Sequence, residues 1–323
     1  MSQFGIYISC HGADLRLTRG CCESIRTFAG DTPICLIFDG VASLKDFERD
    51  YGCMVLRRED VRDADLRTRS FGGWGYSKFI PFWEGPFERF LHLDSDTVML
   101  GNVCTLLDST DADLIVSPMS NAPHSAETID SHWFTPDFIR REFPDFRVED
   151  QPYFCAGVAF GRKGAMDLDE YMRLLTLQKQ HPGRSFQSGD QGILNFLVFH
   201  RAARGLLTYA TRDFQSYPLY MPGSELDAIN ASLCDLTGGW KRPPTVLHYI
   251  DVKPSVFHDG IFQRLRQLRG GAWPASGWAR AMNRFRIWSG ERAGASALAT
   301  RAVVLGEDLA AHWSAFRRRR EKR

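Results

Sequence analysis

The sequence predicts an α/β protein built on a Rossmann-like sheet, and three observations carry that expectation. Short apolar runs recur early in the chain: "FGIYIS" (residues 4–9), "PICLIFDG" (33–40) and "CMVLRR" (53–58). Stretches of helical period, residues 17–28 and 43–49, separate them. Strand, helix, strand, helix, strand is the pattern of βαβ units and a parallel sheet. The third observation is "RFLHLDSDTVML" (89–100), an apolar strand running straight into Asp94 and Asp96. Ligands of open α/β sheets bind beyond the carboxyl ends of strands, so both aspartates arrive where a ligand is expected.

Each further element follows from its own pattern. "SFGGWGYSKFIPFWEG" (70–85) opens with three Gly and reads as a flexible loop feeding a short helix, limited by Pro81. "DLIVSP" (113–118) and "YFCAGVAFGRKG" (153–164) are strand-like. Residues 119–150 have no strong period and are expected to be irregular. "DLDEYMRLLTLQKQ" (167–180) and "DQGILNFLVFHRAA" (190–203) are amphipathic helices, and "TVLHYIDVKPSVF" (245–257) is a late strand ending in His248, followed by a turn at Lys253-Pro254. A main domain over residues 1–260 followed by a 261–323 helical extension is the expected organisation.

Composition narrows the class. A chain of 323 residues with 44% hydrophobic content is ample for a large core. The eight cysteines are scattered with no CxxC pair, which argues against a zinc site or a disulfide frame and for a reduced, cytoplasmic protein. The start of the chain lacks a signal-peptide pattern, and no run approaches the ~20 apolar residues of a membrane span. The formal net charge of +1 conceals an asymmetry. Residues 261–323 hold thirteen Arg and one Lys against three Glu and one Asp, with Trp273, Trp278, Trp288 and Trp313 among them. A basic, Trp-containing segment suits an anionic membrane surface at the inner face of a membrane. A solvated helix with a frayed end is the plainer alternative, and no nucleic-acid motif is present.

The aspartate pair admits two chemistries. In a haloacid-dehalogenase-type phosphatase, Asp94 would be the nucleophile and Asp96 the acid/base. That motif belongs on a first strand, whereas here three βα units precede it, and "SGDQGIL" offers only Asp190 as a downstream acid. In a nucleotide-sugar transferase, both carboxylates hold a divalent cation on a diphosphate, and oxygen-rich ligation suits Mn2+ or Mg2+. A structural pair that caps a strand is the third alternative.

Four segments decide between them. "YSKFIPFW" precedes "FLHLDSDTVMLGNV", with sixteen residues from Lys78 to Asp94; "YFCAGVAF", "SGDQGILNFL" and "VLHYIDVKP" follow in order. Jointly they resemble glycosyltransferase family 8, its glycogenin-like and lipopolysaccharide glucosyl- and galactosyltransferase-like members, over roughly residues 1–258. The resemblance implies a catalytic domain of GT-A nucleotide-diphospho-sugar transferase fold, with a Rossmann-like sheet that becomes mixed in its second half and helices on both faces. It also implies retaining transfer of a hexose, from a UDP-sugar by default, to a hydroxyl acceptor; the basic, Trp-containing segment suggests surface polysaccharide or glycolipid assembly. The resemblance implies Asp94, Asp96 and His248 as metal ligands. Lys78 and Lys253 would contact the donor phosphates. Asp190 would bind the donor sugar, and Gln191 would sit near the anomeric carbon. Ser9, Cys10, Gly12 and Asp14 would line the base pocket, and Cys155, Ala156 and Gly157 the sugar pocket. Cys155 stands where the family often has Asn, Ser255 stands where it has Trp, and the loop after the first strand lacks an aromatic. Taken alone, His248 also reads as a core histidine, Asp190 as a helix first-turn acid and both lysines as surface charges. A catalytically silent sugar-nucleotide-binding protein is the alternative from another class.

Overall fold

A computed structural model describes residues 3–72, 75–120, 122–187, 189–236 and 239–250, together with Lys253, Ile261, Arg264 and Leu265. The first half alternates as its periodicity predicts: β1 (Phe4–His11), α1 (Leu15–Phe28), β2 (Ile34–Asp39), α2 (Lys45–Tyr51), β3 (Met54–Arg57) and α3 (Ala64–Arg69). A 3-10 segment, Tyr76–Phe82, leads to β4 (Arg89–Asp94), β5 (Thr97–Leu100) and β6 (Leu114–Pro118). Then come α4 (Ala126–His132), α5 (Pro136–Glu142), β7 (Phe154–Arg162), α6 (Leu168–Gln180) and α7 (Asp190–Ala203). The described elements close with β8 (Tyr209–Thr211), β9 (Gln215–Ser216), α8 (Gly223–Cys234) and β10 (Thr245–His248).

A seven-stranded sheet runs in the order β3-β2-β1-β4-β7-β6-β8. The four strands from β3 to β4 are parallel, and β7 runs antiparallel to both β4 and β6. The sheet is therefore mixed, as expected. Side chains alternate across it. Ile6, Ile8, Leu91 and Leu93 enter the core formed with α1, while Tyr7 and Phe90 enter the one formed with α6 and α7. Phe79 stacks on Tyr171 of α6, with ring centroids 4.6 Å apart, which anchors the Lys78 segment to the second core.

Two departures from the sequence reading bear on the site. Residues 119–150 carry α4 and α5; both are seven residues long, too short to display a period, and their starts show in Ser125 as a side-chain N-cap and Pro136 in the first turn. The run "DSDTVML" is not one strand. The chain turns at Ser95 and Asp96, and β5 leaves the main sheet for a second one of order β5-β10-β9. The late strand, β10, ends at His248 as the sequence predicts.

Candidate metal and nucleotide site

The turn between β4 and β5 explains why two aspartates one residue apart meet a histidine far along the chain. The Thr97 hydroxyl donates to the Asp94 carbonyl at 2.8 Å, and the Tyr249 amide donates to the Asp96 carbonyl at 3.0 Å. Antiparallel pairing sets His248 opposite Thr97. The histidine is thus delivered by strand register. One ligand atom each from Asp94, Asp96 and His248 lies within 4.8 Å of the others, the one such group among the described residues. His248 Nε2 stands 3.3 Å from Asp96 Oδ1 and 3.9 Å from Asp94 Oδ2. On the other edge of the ring, Nδ1 lies 2.9 Å from the Gln215 amide nitrogen and 3.5 Å from Cys155 Sγ.

Gly157 makes this convergence sterically feasible. A Cβ there would fall 2.2 Å from His248 Cε1 and 2.7 Å from Asp94 Oδ2. The glycine is needed for space, with β7 passing directly beneath the ligand atoms.

Two lysines close the site. Lys78 Nζ lies 3.0 Å from Asp94 Oδ1 and 2.5 Å from Asp190 Oδ2, so it is a buried ion pair rather than a surface charge. Asp190 opens α7, and its carboxyl packs against Gly75, where a Cβ would approach Asp190 Cγ to 2.9 Å and where φ is +67°. Lys253 pairs with Asp96 and donates to the Tyr249 carbonyl at 3.2 Å. Asp14 adds its field to the same lysine.

Burial works against charge here, and neighbouring charges decide the outcome. Burial acts to raise Asp94, but Lys78, His92 and His248 hold it below the usual carboxylate range. Asp96 is likewise raised by burial and held well below by His248 and Lys253. Burial prevails at Asp190, whose carboxyl stays above its ordinary value despite Lys78. Burial lowers Lys78, yet Asp190 and Asp94 lift it well above a normal lysine. His248 is pushed up to about 10, since Cys155 and Asp96 outweigh burial. His92 is pushed down to about 3 by burial.

The donor set fits a divalent cation: two carboxylates and an imidazole converge, with room secured by a glycine. The remaining expected residues divide. Ser9 pairs with Asp94 across β1 and β4, and its hydroxyl meets His92 Nε2 at 3.1 Å. Gly12 and Asp14 form the 3-10 turn after β1, with Asp14 bonded to His11 at 2.9 Å. Cys10 is buried with Leu15 and Ile8, and Ala156 with Phe154 and Tyr153, because strand alternation turns both inward. Gln191 does not join the cluster; its amide donates to the His132 carbonyl at 3.0 Å. Gln215 was missed, since "DFQSYP" carries no motif and only the fold brings it to His248.

No protein-family model and no curated protein matches this sequence. Solved structures do resemble its fold. One is the galactosyltransferase LgtC in complex with donor and acceptor sugar analogs, at TM-score 0.50 and 16% identity, over 86% of this chain and 99% of that one. An active-site mutant of LgtC matches with the same TM-score, 0.50, and 16% identity, over 85% and 99%. The WbbM bifunctional glycosyltransferase in its apo form matches at TM-score 0.52 and 13% identity, over 88% of this chain and 52%, about half, of that one. At such identities the likeness is one of fold. The mixed sheet, with Asp94 and Asp96 beyond its central strand β4 and His248 brought in by the second sheet, is therefore a GT-A fold like that of the glycosyltransferases LgtC and WbbM.

Proposed function

We propose that this protein is a metal-dependent glycosyltransferase that moves a hexose from a nucleotide-diphosphate sugar, UDP-linked by default, to a hydroxyl acceptor. The observation that carries the reading is the convergence of Asp94, Asp96 and His248 within 4.8 Å, flanked by Lys78 and Lys253 on the same carboxylates. Held by those three residues, Mn2+ or Mg2+ would supply positive charge where a departing diphosphate accumulates negative charge. Lys253 would turn from Asp96 to the diphosphate, adding a second donor there. Lys78, fixed between Asp94 and Asp190, would hold the Asp190 carboxylate towards the donor sugar. Retention would follow from front-face displacement, in which the leaving diphosphate takes the proton of the acceptor hydroxyl as the new glycosidic bond forms. A glycosyl adduct trapped on Asp190 or Gln191 would replace that route with a covalent one.

Polysaccharide or glycolipid assembly at an inner membrane face fits the basic, Trp-containing residues 266–323, which lie outside the described residues. No helix among the described residues is long and apolar enough to cross a membrane. The phosphatase alternative has less support: Asp94 is already engaged by Lys78 and stands beside a histidine. Calorimetric titration with UDP and other nucleoside diphosphates, with and without Mn2+, tests the proposal on wild type and on Asp96→Asn. Metal-dependent binding of one nucleotide, lost in the variant, is expected. No nucleotide binding under any metal would sink the transferase reading.

A further inference from the structure

We infer that Gln215 is a positioning residue for the candidate metal site: its amide oxygen keeps the His248 proton on Nδ1 and so leaves the Nε2 lone pair facing Asp94 and Asp96. The inference rests on the metal reading above and adds to it a residue outside every motif. An imidazole that ligates a cation is neutral, with one N–H and one lone pair. Nε2 is the ring atom aimed at both carboxylates, at 3.3 Å and 3.9 Å. A cation there needs the lone pair on Nε2, and the proton must then sit on Nδ1 with an acceptor in reach. The Gln215 amide, at 2.9 Å, and the Cys155 sulfur, at 3.5 Å, are the groups in contact with Nδ1. A thiol is a weak acceptor, which leaves the amide oxygen.

The present orientation shows the other setting of the same pair. The amide nitrogen faces Nδ1, and the buried oxygen Oε1 has no hydrogen-bond partner among the described residues. A buried acceptor without a donor is costly. A half-turn about the terminal torsion exchanges two ends of similar size and sets Oε1 on Nδ1–H. The rest of the residue is pinned. Its main chain lies in β9, opposite Val246 of β10, and its amide N–H and that of Phe214 donate to the Ser117 hydroxyl on β6 at 3.2 and 3.3 Å. Both sheets thus fix where the amide stands, leaving its rotation as the remaining freedom. Groups that orient a ligating histidine in this way commonly change metal affinity by about 10–100-fold when removed.

The test pairs two measurements. Mn2+ binding is followed by the electron paramagnetic resonance of the free ion, on wild type, Gln215→Met and Gln215→Glu. Histidine tautomers are read from 15N chemical shifts of the Mg2+-loaded wild type, with His248 assigned by its loss in His248→Gln. The expected result is an Nδ1–H tautomer at His248, about 10–100-fold weaker Mn2+ binding in Gln215→Met, and affinity retained in Gln215→Glu, whose carboxylate also accepts from Nδ1. Equal Mn2+ affinity in wild type and Gln215→Met would overturn the role of Gln215 while leaving the metal site standing, whereas an Nε2–H tautomer in the loaded wild type would overturn that role and remove His248 as a ligand. No Mn2+ binding by wild type would overturn both. The tautomer measurement needs no variant at position 215, so a folding defect in Gln215→Met leaves the inference open to refutation.

Discussion

At the scale of single residues, the site is governed by close approach. Gly157 is the sharpest case, because any side chain there must displace the imidazole or the Asp94 carboxylate. Gly157→Ala is expected to lower Mn2+ affinity by at least about tenfold and to cost about 1–3 kcal/mol of stability as an overpacked position. A Mn2+ titration beside a urea melt checks both, and unchanged affinity would mean that the site relaxes freely. The aspartate pair was legible from a short motif, and Lys78 and Asp190 through the family resemblance: Lys78 pairs with Asp94 and Asp190, and Asp96 meets His248 beside Asp94. Ionic partners were not legible. Nothing in "YSKF" says that Lys78 is buried between two acids, since that depends on how the 3-10 segment packs on α6 and α7.

At the scale of elements, α7 carries one wall of the site, and its seating is polar as well as apolar. Asn195 receives the Phe154 amide at 3.0 Å and donates to the Phe154 carbonyl at 2.9 Å, tying α7 to the start of β7. Glu170 on α6 holds His200 at 2.8 Å and Arg201 at 3.0 Å at the far end of α7. Burial acts to raise Glu170, but these two partners hold it below its ordinary value. A carboxylate depressed in the folded state contributes stability above its unfolded value, about 4.3, and loses it as pH falls through the folded value. Glu170→Gln should therefore be about 1–3 kcal/mol less stable than wild type at pH 7, with the gap narrowing as pH falls from 5 to 3. Urea melts across that range decide it; a gap independent of pH would assign the loss to packing. The long elements were legible because a period repeats over their length. The two-residue β9 and the four-residue β5 offer no period, and β5 follows so closely on β4 that the two read as one strand.

At the scale of the molecule, the sheet order follows from the first three βα units, and the antiparallel β7 does not. A fully buried strand shows the same apolar run whichever way it points. The described part of the 261–323 extension contacts the main body: Ile261 and Leu265 are buried with Ile229 and Leu233 of α8, and Arg264 donates to the Leu233 and Cys234 carbonyls at 3.3 and 3.1 Å. A truncation after Leu265 keeps that contact. Loss of residues 266–323 should leave nucleotide and Mn2+ binding unchanged while reducing co-sedimentation with anionic liposomes; undiminished co-sedimentation would end the membrane proposal.

The paired lysines carry a wider implication. Without any ligand, Asp94 and Asp96 already have cationic partners in Lys78 and Lys253, so folding need not await a metal, unlike small domains organised around zinc. On the proposed reading, arrival of a cation at Asp96 is an exchange that dislodges Lys253, and a diphosphate gives the freed ammonium a new counter-charge. Cation and nucleotide would then each tighten the other by one and the same factor, as thermodynamic linkage requires. Metal alone would bind, and metal beside a nucleotide would bind more tightly.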